Sequence, residues 1–348
     1  MNLTWRPQPR TEAESFAILD SALERGVNFW NTATFYGNPP NPRANLHLLS
    51  RYFTLHPQNS SKVALSIKGC VFLNPSTNHL SYDCTPSGVS RSIKEAMEGL
   101  GESHKEARDK AGLPLIDFFE ISRNMKEVPI EVSVGEIKKW VAKGVVGGVM
   151  LSEASGDTIR RAHAVHPIAG VEIEYSLWAT GPETNGIFKV CKELDIPIIA
   201  YSPVGRGFLN GGIRSFDDIP EGDFRRYIDR FQPQNFDKNL ELVSKITEFA
   251  RAKGVTPTQL AIGWTVSRGR KHGVRVIPIP GSTRVEQTVE NARYVELDDE
   301  ELGKVDEILG AFEVVGGRYS DLMAGSMNLE GDTIGLEEYE RGKGGKGE

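Results

Sequence analysis

The sequence predicts an α/β chain in which parallel strands alternate with helices, and its simplest closed form is a (β/α)8 TIM barrel. Three observations point there. Short apolar runs rich in Val and Ile recur between amphipathic helical stretches along nearly the whole chain. Polar residues collect at the carboxyl ends of those runs, the end at which such barrels place their chemistry. A doubly wound sheet would want a GxGxxG fingerprint after an early strand, and none occurs there.

The elements follow in order. Thr11 and Glu14 form a capping-box pattern, and Phe16, Leu19 and Leu23 continue it at helical spacing to about Gly26. The first strand is Val27 to Thr32, leading into a loop with Tyr36 and Gly37. A loop from Asn38 to Pro42 precedes a helix with Leu46, Leu49 and Phe53 on one face. Strand Val63 to Lys68, a long loop from Cys70 to Pro86 and a helix from Ser87 to Leu100 come next. The charged stretch Gly101 to Gly112 is expected to be a surface insertion. Strands are then expected at Ile116 to Ser122, Gly148 to Ser152, Val171 to Tyr175, Pro197 to Tyr201 and Val274 to Ile279. The helices between them are expected at Val134 to Ala142, Gly156 to Val165, Asn185 to Leu194, Lys238 to Lys253 and Pro257 to Ser267. A Gly/Pro-rich loop, Ser202 to Pro233, interrupts the series. Helices at Val285 to Ala292 and Asp298 to Leu309 close it. An eighth strand would have only its end at Met1 to Thr4. The expected division is a barrel over residues 1–312 and a C-terminal loop over 313–348, mobile from Gly331.

Composition narrows the classes. A net charge of −6 over 348 residues argues against a nucleic-acid footprint. No apolar run reaches the ~18 residues of a membrane span, and MNLTWRPQPRTEAE lacks the apolar core of a secretory signal. Cys70, Cys84 and Cys191 show neither a metal-binding spacing nor a disulfide framework, so reduced thiols in a cytoplasmic protein are expected, with no metal.

The polar strand ends include Asn31, Lys68, Ser122, Ser152, Glu153, Glu172, Glu174 and Tyr201. Any one of them alone is more often a turn or a hydrogen-bonded core group. Tyr36 with Lys68 is more specific. A tyrosine beyond a strand end can act as an acid if a nearby cation lowers its pKa, and the next strand ends on a lysine. In VIPIPGSTRVEQTVEN, Gly281, Ser282, Thr283 and Arg284 join a strand to a short helix. Backbone N–H groups at such a junction can meet a phosphate and the guanidinium can clamp it. An ordinary strand–turn–helix junction with a solvated arginine fits the same spacing.

Taken together, GVNFWNTATFYG, LSIKG, LIDFFEISR, VMLSEAS, VEIEYSL, IPIIAYSPVGRGFLNG and VIPIPGSTRVEQTVEN resemble the aldo-keto reductases, and within them the fungal pyridoxal reductase branch. The resemblance covers nearly the whole chain. It implies a (β/α)8 barrel that binds NADPH without a dinucleotide fingerprint and reduces a small carbonyl compound. It further implies that Tyr36 is the proton donor and Lys68 the residue that lowers its pKa. Ser152, Glu153 and Glu172 fall where the family holds the nicotinamide carboxamide, and Tyr201 where an aromatic ring stacks on the nicotinamide. Ser202, Pro203, Val204, Gly205, Arg206, Gly207, Phe208 and Leu209 match the loop over the pyrophosphate. Gly281, Ser282, Thr283, Arg284 and Gln287 match the clamp on the 2′-phosphate, and Glu290 and Asn291 the adenine pair.

Several positions depart from the family pattern. Asn31 stands where an Asp is usual; an Asn can still accept a hydrogen bond from Lys68 but does not neutralise it. An uncompensated Lys68 would depress the Tyr36 pKa, while desolvation would push Lys68 itself towards neutrality. Ser122 stands where a histidine is usual, and none of the seven histidines lies at that strand end. Relatives begin with a hairpin and a whole first strand, so the resemblance implies a barrel without that hairpin and without most of that strand. Trp30, Phe35, Phe72 and Trp178 could line an aromatic pocket, with core packing the alternative for each. Pyridoxal is the substrate the resemblance implies. A ketone or keto-acid reductase of secondary metabolism and an NADPH-binding regulatory subunit of an ion channel are the alternatives. No nucleic-acid or membrane partner is expected for the enzyme readings.

Overall fold

The computed structural model describes residues 3–73, 80–320, 324, 327–329 and 331–344. Its nine strands are β1 (Phe29–Ala33), β2 (Ala64–Gly69), β3 (Val71–Leu73), β4 (Leu80–Tyr82), β5 (Ile116–Ile121), β6 (Val146–Ser152), β7 (Ile168–Glu174), β8 (Ile198–Tyr201) and β9 (Val276–Ile279). Seven of them form one sheet in the order β1-β2-β5-β6-β7-β8-β9, with β1 and β2, β2 and β5, β5 and β6, β6 and β7, and β8 and β9 paired parallel. That order is the chain order. A doubly wound sheet reverses direction at a switch point, and this sheet does not. Leu3 and Thr4, expected at the end of an eighth strand, lie in a turn.

The chain falls into two compact units, residues 1–172 with 328–348, and residues 173–327. The boundary passes through β7. In the first unit one set of alternating strand side chains is apolar and buried: Ile67, Phe119, Leu151 and Val171 have no exposed surface. Helices covering a parallel sheet are expected to bury such a set. The helices here are α1 (Glu12–Glu24), α2 (Ala44–Leu55), α3 (Pro57–Ser60), α4 (Pro86–Ala111), α5 (Ile130–Ala142) and α6 (Gly156–Val165). The capping box of α1 forms as expected: Glu14 N–H donates to Thr11 Oγ1, and Thr11 N–H to Glu14 Oε2.

Three expectations change in this unit. The segment Gly101 to Gly112 is a continuation of α4 and not an insertion. The helix kinks at Gly101 (φ 75°), where a Cβ would come within 2.5 Å of Ser50 Oγ, and then resumes. Its charges hid an inward face of two polar residues. His104 contacts Ser60 Oγ and the Leu115 carbonyl, and Arg108 donates to the carbonyls of Pro114, Ser60 and Val63 and to Asp117. The loop Cys70 to Pro86 contains an antiparallel pair, β3 with β4; its residues 74–79 lie outside the described ones. The C-terminal stretch expected to be mobile is tied down at its start. Arg161 donates to the carbonyls of Thr333 (2.8 Å) and Ile334 (2.7 Å), and Ile334 N–H donates to Lys126 O at 2.8 Å. A short helix, Leu336–Gly344, follows.

The second unit carries β8, β9 and helices α7 (Ile187–Glu193), α8 (Pro233–Lys253), α9 (Pro257–His272), α10 (Val285–Asn291) and α11 (Asp299–Ala311). The long loop after β8 is a run of short 3-10 turns, the first at Gly205–Asn210. No helix among the described residues is long and apolar enough to cross a membrane.

Candidate active site

In the first unit, parallel register places polar side chains in rows. Ala33 of β1 lies opposite Lys68 of β2, Lys68 opposite Glu120 of β5, and Glu120 opposite Met150 of β6. Register partners in a parallel sheet share a face, so Lys68 and Glu120 stand side by side. Ser152 and Glu172 are partners on β6 and β7. Lys68 is 3% exposed. Its ammonium donates to Asn31 Oδ1 and, at 3.0 Å, to Glu172 Oε2. Asn31 Nδ2 donates to the same carboxylate oxygen at 2.6 Å.

This settles the charge question that Asn31 raised. The carboxylate that the family's usual Asp would supply from β1 comes instead from Glu172 on β7. Glu172 therefore pairs with the lysine, although the sequence resemblance assigned it only to the carboxamide site. Burial works against a charge on Lys68, but the facing Glu172 carboxylate outweighs it and holds the ammonium above its usual range.

Tyr36 lies just past β1. Thr4 Oγ1 donates to its carbonyl at 2.7 Å, Trp5 stacks on its ring at 5.7 Å, and Lys68 Nζ lies 5.3 Å from the ring centroid. The expected depression of its pKa does not appear. Burial raises it, Lys68 opposes, Glu172 adds to the rise, and the phenol is pushed up to about 12. Tyr36 therefore holds its proton at neutral pH.

Ser122 and Ser152 are both buried, and Arg123 joins them: its Nη1 donates to the Ser122 carbonyl at 2.6 Å and to Ser152 Oγ at 3.3 Å. Glu153 is buried, with a left-handed backbone (φ 50°), and its N–H donates to Glu172 O at 2.9 Å. Gly331 packs against its carbonyl so closely that a Cβ there would lie 2.0 Å from the oxygen. Cys70, the residue directly after β2, is also left-handed (φ 65°). Non-glycine residues at positive φ cost on the order of 1 kcal/mol or more and collect where loops are held for function.

Sequence reasoning missed Glu120 and Arg123. Glu120 is fully buried, and burial together with Glu172 pushes its carboxyl well above the usual range. The signal was available: a glutamate inside the run IDFFEI has no place in a purely apolar strand. Arg123 carried no such local signal.

Of the four candidate pocket aromatics, Phe35 contacts Tyr36, with ring centroids 5.1 Å apart. Trp30 packs instead on Tyr52 and Phe53, and Trp178 on Phe208 and Phe231, so both are core. Phe72 is covered by Arg91, whose guanidinium carbon is 3.5 Å from the ring centroid.

In the second unit, Tyr201 ends β8 and its hydroxyl lies 3.3 Å from that of Tyr319. The loop after it begins at Ser202 (φ 52°) and turns through Gly205, Arg206 and Gly207, all at positive φ. Phe208 and Leu209 are fully buried. Arg206 donates to Glu174 Oε2 at 3.2 Å and lies 4.6 Å from the Tyr319 ring centroid, and Arg318 approaches the same carboxylate at 3.5 Å. Arg318 and Tyr319 lie beyond the elements the sequence reading tied to chemistry. The turn before α10 is held from within. Gln287 Oε1 accepts from Thr283 N–H and Oγ1 at 3.0 Å, Ser282 Oγ lies 2.8 Å from Thr288 Oγ1, and Asn291 Nδ2 donates to Gly281 O at 3.4 Å. Arg284 is exposed, and its guanidinium makes no hydrogen bond or ion pair among the described residues. Glu290 is half-buried beside Asn291.

Tyr36 and the buried, carboxylate-paired Lys68 thus lie at the carboxyl ends of two sequential parallel strands. The family model for the Aldo/keto reductase family matches residues 1–310. Two curated proteins of Schizosaccharomyces pombe are similar over most of their length. "Probable pyridoxal reductase 2" is 34% identical over 94% of this chain and 95% of its own. "Aldo-keto reductase yakc [NADP(+)]" is 37% identical over 89% of this chain and 87% of its own. Among solved structures, the glycerol dehydrogenase AKR11B4 from Gluconobacter oxydans superposes with a TM-score of 0.73 over 91% of this chain and 90% of that one, at 19% identity, a likeness of fold. The chain belongs to the aldo/keto reductase family, its seven parallel strands among the described residues match that family's (β/α)8 fold, and it is an oxidoreductase acting in carbonyl chemistry.

Proposed function

We propose that the protein reduces a small carbonyl compound with NADPH, and that an aromatic aldehyde of the pyridoxal type is its substrate. The observation that carries this reading is the buried Lys68–Glu172 pair next to Tyr36, a phenol that keeps its proton at neutral pH. Bound NADPH supplies the hydride. Tyr36 donates its proton to the developing alkoxide, and the Lys68 ammonium stabilises the tyrosinate left behind. Glu172 keeps Lys68 charged, and Asn31 fixes the Nζ position by accepting from it. Ser122, at the position of the family's usual histidine, is a smaller and shorter donor to the carbonyl. Ser152 and Arg123 offer polar groups for a carboxamide.

The second unit's residues fit an adenine dinucleotide phosphate. Arg284 has its fork of donors free beside the hydroxyls of Ser282 and Thr283, a set suited to a phosphomonoester. Gln287, Glu290 and Asn291 flank it for the adenosine. Tyr201 is half-buried at the end of β8, available to stack on a planar ring, and the Ser202–Leu209 turn presents backbone to a pyrophosphate.

The test is loss of NADPH absorbance with the purified chain and a carbonyl panel that includes pyridoxal. Selective turnover of pyridoxal is the expected result. A higher kcat/KM for a ketone or keto-acid would overturn the substrate but not the reaction. Tight NADPH binding without turnover of any carbonyl would overturn the reaction and favour a binding role.

A further inference from the structure

Glu120 is a buried ionisable group that the proposed reaction leaves without a task. Its neighbours are Ser66 and Lys68 from β2, Met150 from β6, Glu172 from β7 and Tyr36 from the loop after β1. Hydrogen-bond donors are divided unequally between the two glutamates. Glu172 Oε2 accepts from both Lys68 Nζ and Asn31 Nδ2. Glu120 Oε2 accepts from Ser66 Oγ at 3.2 Å, and its Oε1 meets no partner among the described residues. Two buried carboxylates facing one ammonium would leave a surplus negative charge in a site of low polarity. Like charges sharing such a site force one of them to keep its proton. The donors decide which. Negative charge settles on Glu172, where they converge, and the proton stays where an oxygen lacks one.

We propose that Glu120 carries a proton and so sets the buried cluster to one negative charge against the one positive charge of Lys68, which makes Glu120 a positioning residue for the Lys68–Tyr36 pair. The upward shift of the Glu120 carboxyl by burial and by Glu172 agrees with this assignment. The consequence bears on Tyr36. Glu120 belongs to the groups that oppose a tyrosinate, so its ionisation would cancel part of what Lys68 contributes.

The kinetic part of the test rests on the carbonyl-reductase reading; the spectroscopic part does not. Infrared spectra of the full chain at neutral pH, wild type minus Glu120→Gln, are expected to show a protonated-carboxyl stretching band that moves on exchange into D2O. Its absence overturns the proposal whether or not any carbonyl is turned over. The wild-type spectrum alone gives the same readout should the variant not fold. In turnover, Glu120→Gln keeps a neutral donor and is expected to stay within about threefold of wild-type kcat with an unmoved alkaline limb. Glu120→Ala is expected to lose roughly tenfold or more in kcat with little change in KM. If Glu120→Gln is as impaired as Glu120→Ala, the residue works as a carboxylate and the proposal fails.

Discussion

Replacing Glu172 with glutamine keeps the shape of the side chain and removes the charge that faces Lys68. The pair is 3.0 Å apart, with side chains 3% and 5% exposed. At an effective dielectric of about 20, two unit charges at that distance attract by about 5 kcal/mol. Desolvation already offsets part of this, and breaking a buried pair by removing one partner typically costs about 3–5 kcal/mol. Lys68 cannot escape cheaply by losing its proton. Bringing a lysine from its usual pKa near 10.4 to neutrality at pH 7 costs about 4–5 kcal/mol at ~1.4 kcal/mol per unit. Asn31 still accepts from Nζ, so a loss of about 3 kcal/mol at pH 7 is expected. Urea unfolding followed by tryptophan fluorescence and by circular dichroism would read it as a midpoint shift of about 1 M. Coincidence of the two probes checks that one transition is being measured. The folded-state pKa of Lys68 is raised, so the pair's stabilisation is present below the unfolded value near 10.4 and is lost as pH rises through the folded value. The gap between wild type and variant should therefore be widest near neutrality and close at strongly alkaline pH. A difference under about 0.5 kcal/mol at pH 7 would refute the claim that Glu172 is the counter-charge of Lys68.

Three other outcomes are expected. Tyr36→Phe should leave NADPH affinity, measured by fluorescence titration, nearly intact and lower kcat by roughly 10²-fold or more; unchanged turnover would remove Tyr36 from the chemistry. The Tyr36 phenol, raised from 10 to about 12, should appear in the wild-type minus Tyr36→Phe ultraviolet difference as a tyrosinate forming only above about pH 11. By the same linkage its contribution to stability, on the order of 2–3 kcal/mol, is complete below pH 10 and disappears as pH climbs through about 12. Arg284→Gln should raise KM for NADPH roughly 10- to 100-fold while leaving KM for NADH nearly unchanged, since a charge-assisted hydrogen bond to phosphate is worth about 1.5–3 kcal/mol. Equal effects on both cofactors would show that Arg284 does not read the 2′-phosphate.

The sequence by itself determined the alternation of strand and helix, and with it the parallel sheet, because periodicity and capping are local. The Thr11–Glu14 box, the apolar runs of β2 and β5 and the turn before α10 all read correctly within windows of a few residues. It also placed Tyr36 and Lys68 at neighbouring strand ends, since sequential parallel strands carry their register with them. Charge in a segment was a poorer guide. The run Gly101 to Gly112 looked solvated, and only the packing of α4 revealed that His104 and Arg108, one turn apart, face inward and satisfy buried carbonyls. The electrostatics of the site were decided by tertiary structure alone. Asn31, Lys68, Glu120 and Glu172 come from four strands spread over more than a hundred residues, and pKa values depend on distances and burial that no local window contains. From the sequence, Lys68 could have been unpaired and Tyr36 acidic. The fold brings Glu172 from β7 to the lysine on β2, keeps the ammonium charged and leaves the phenol protonated.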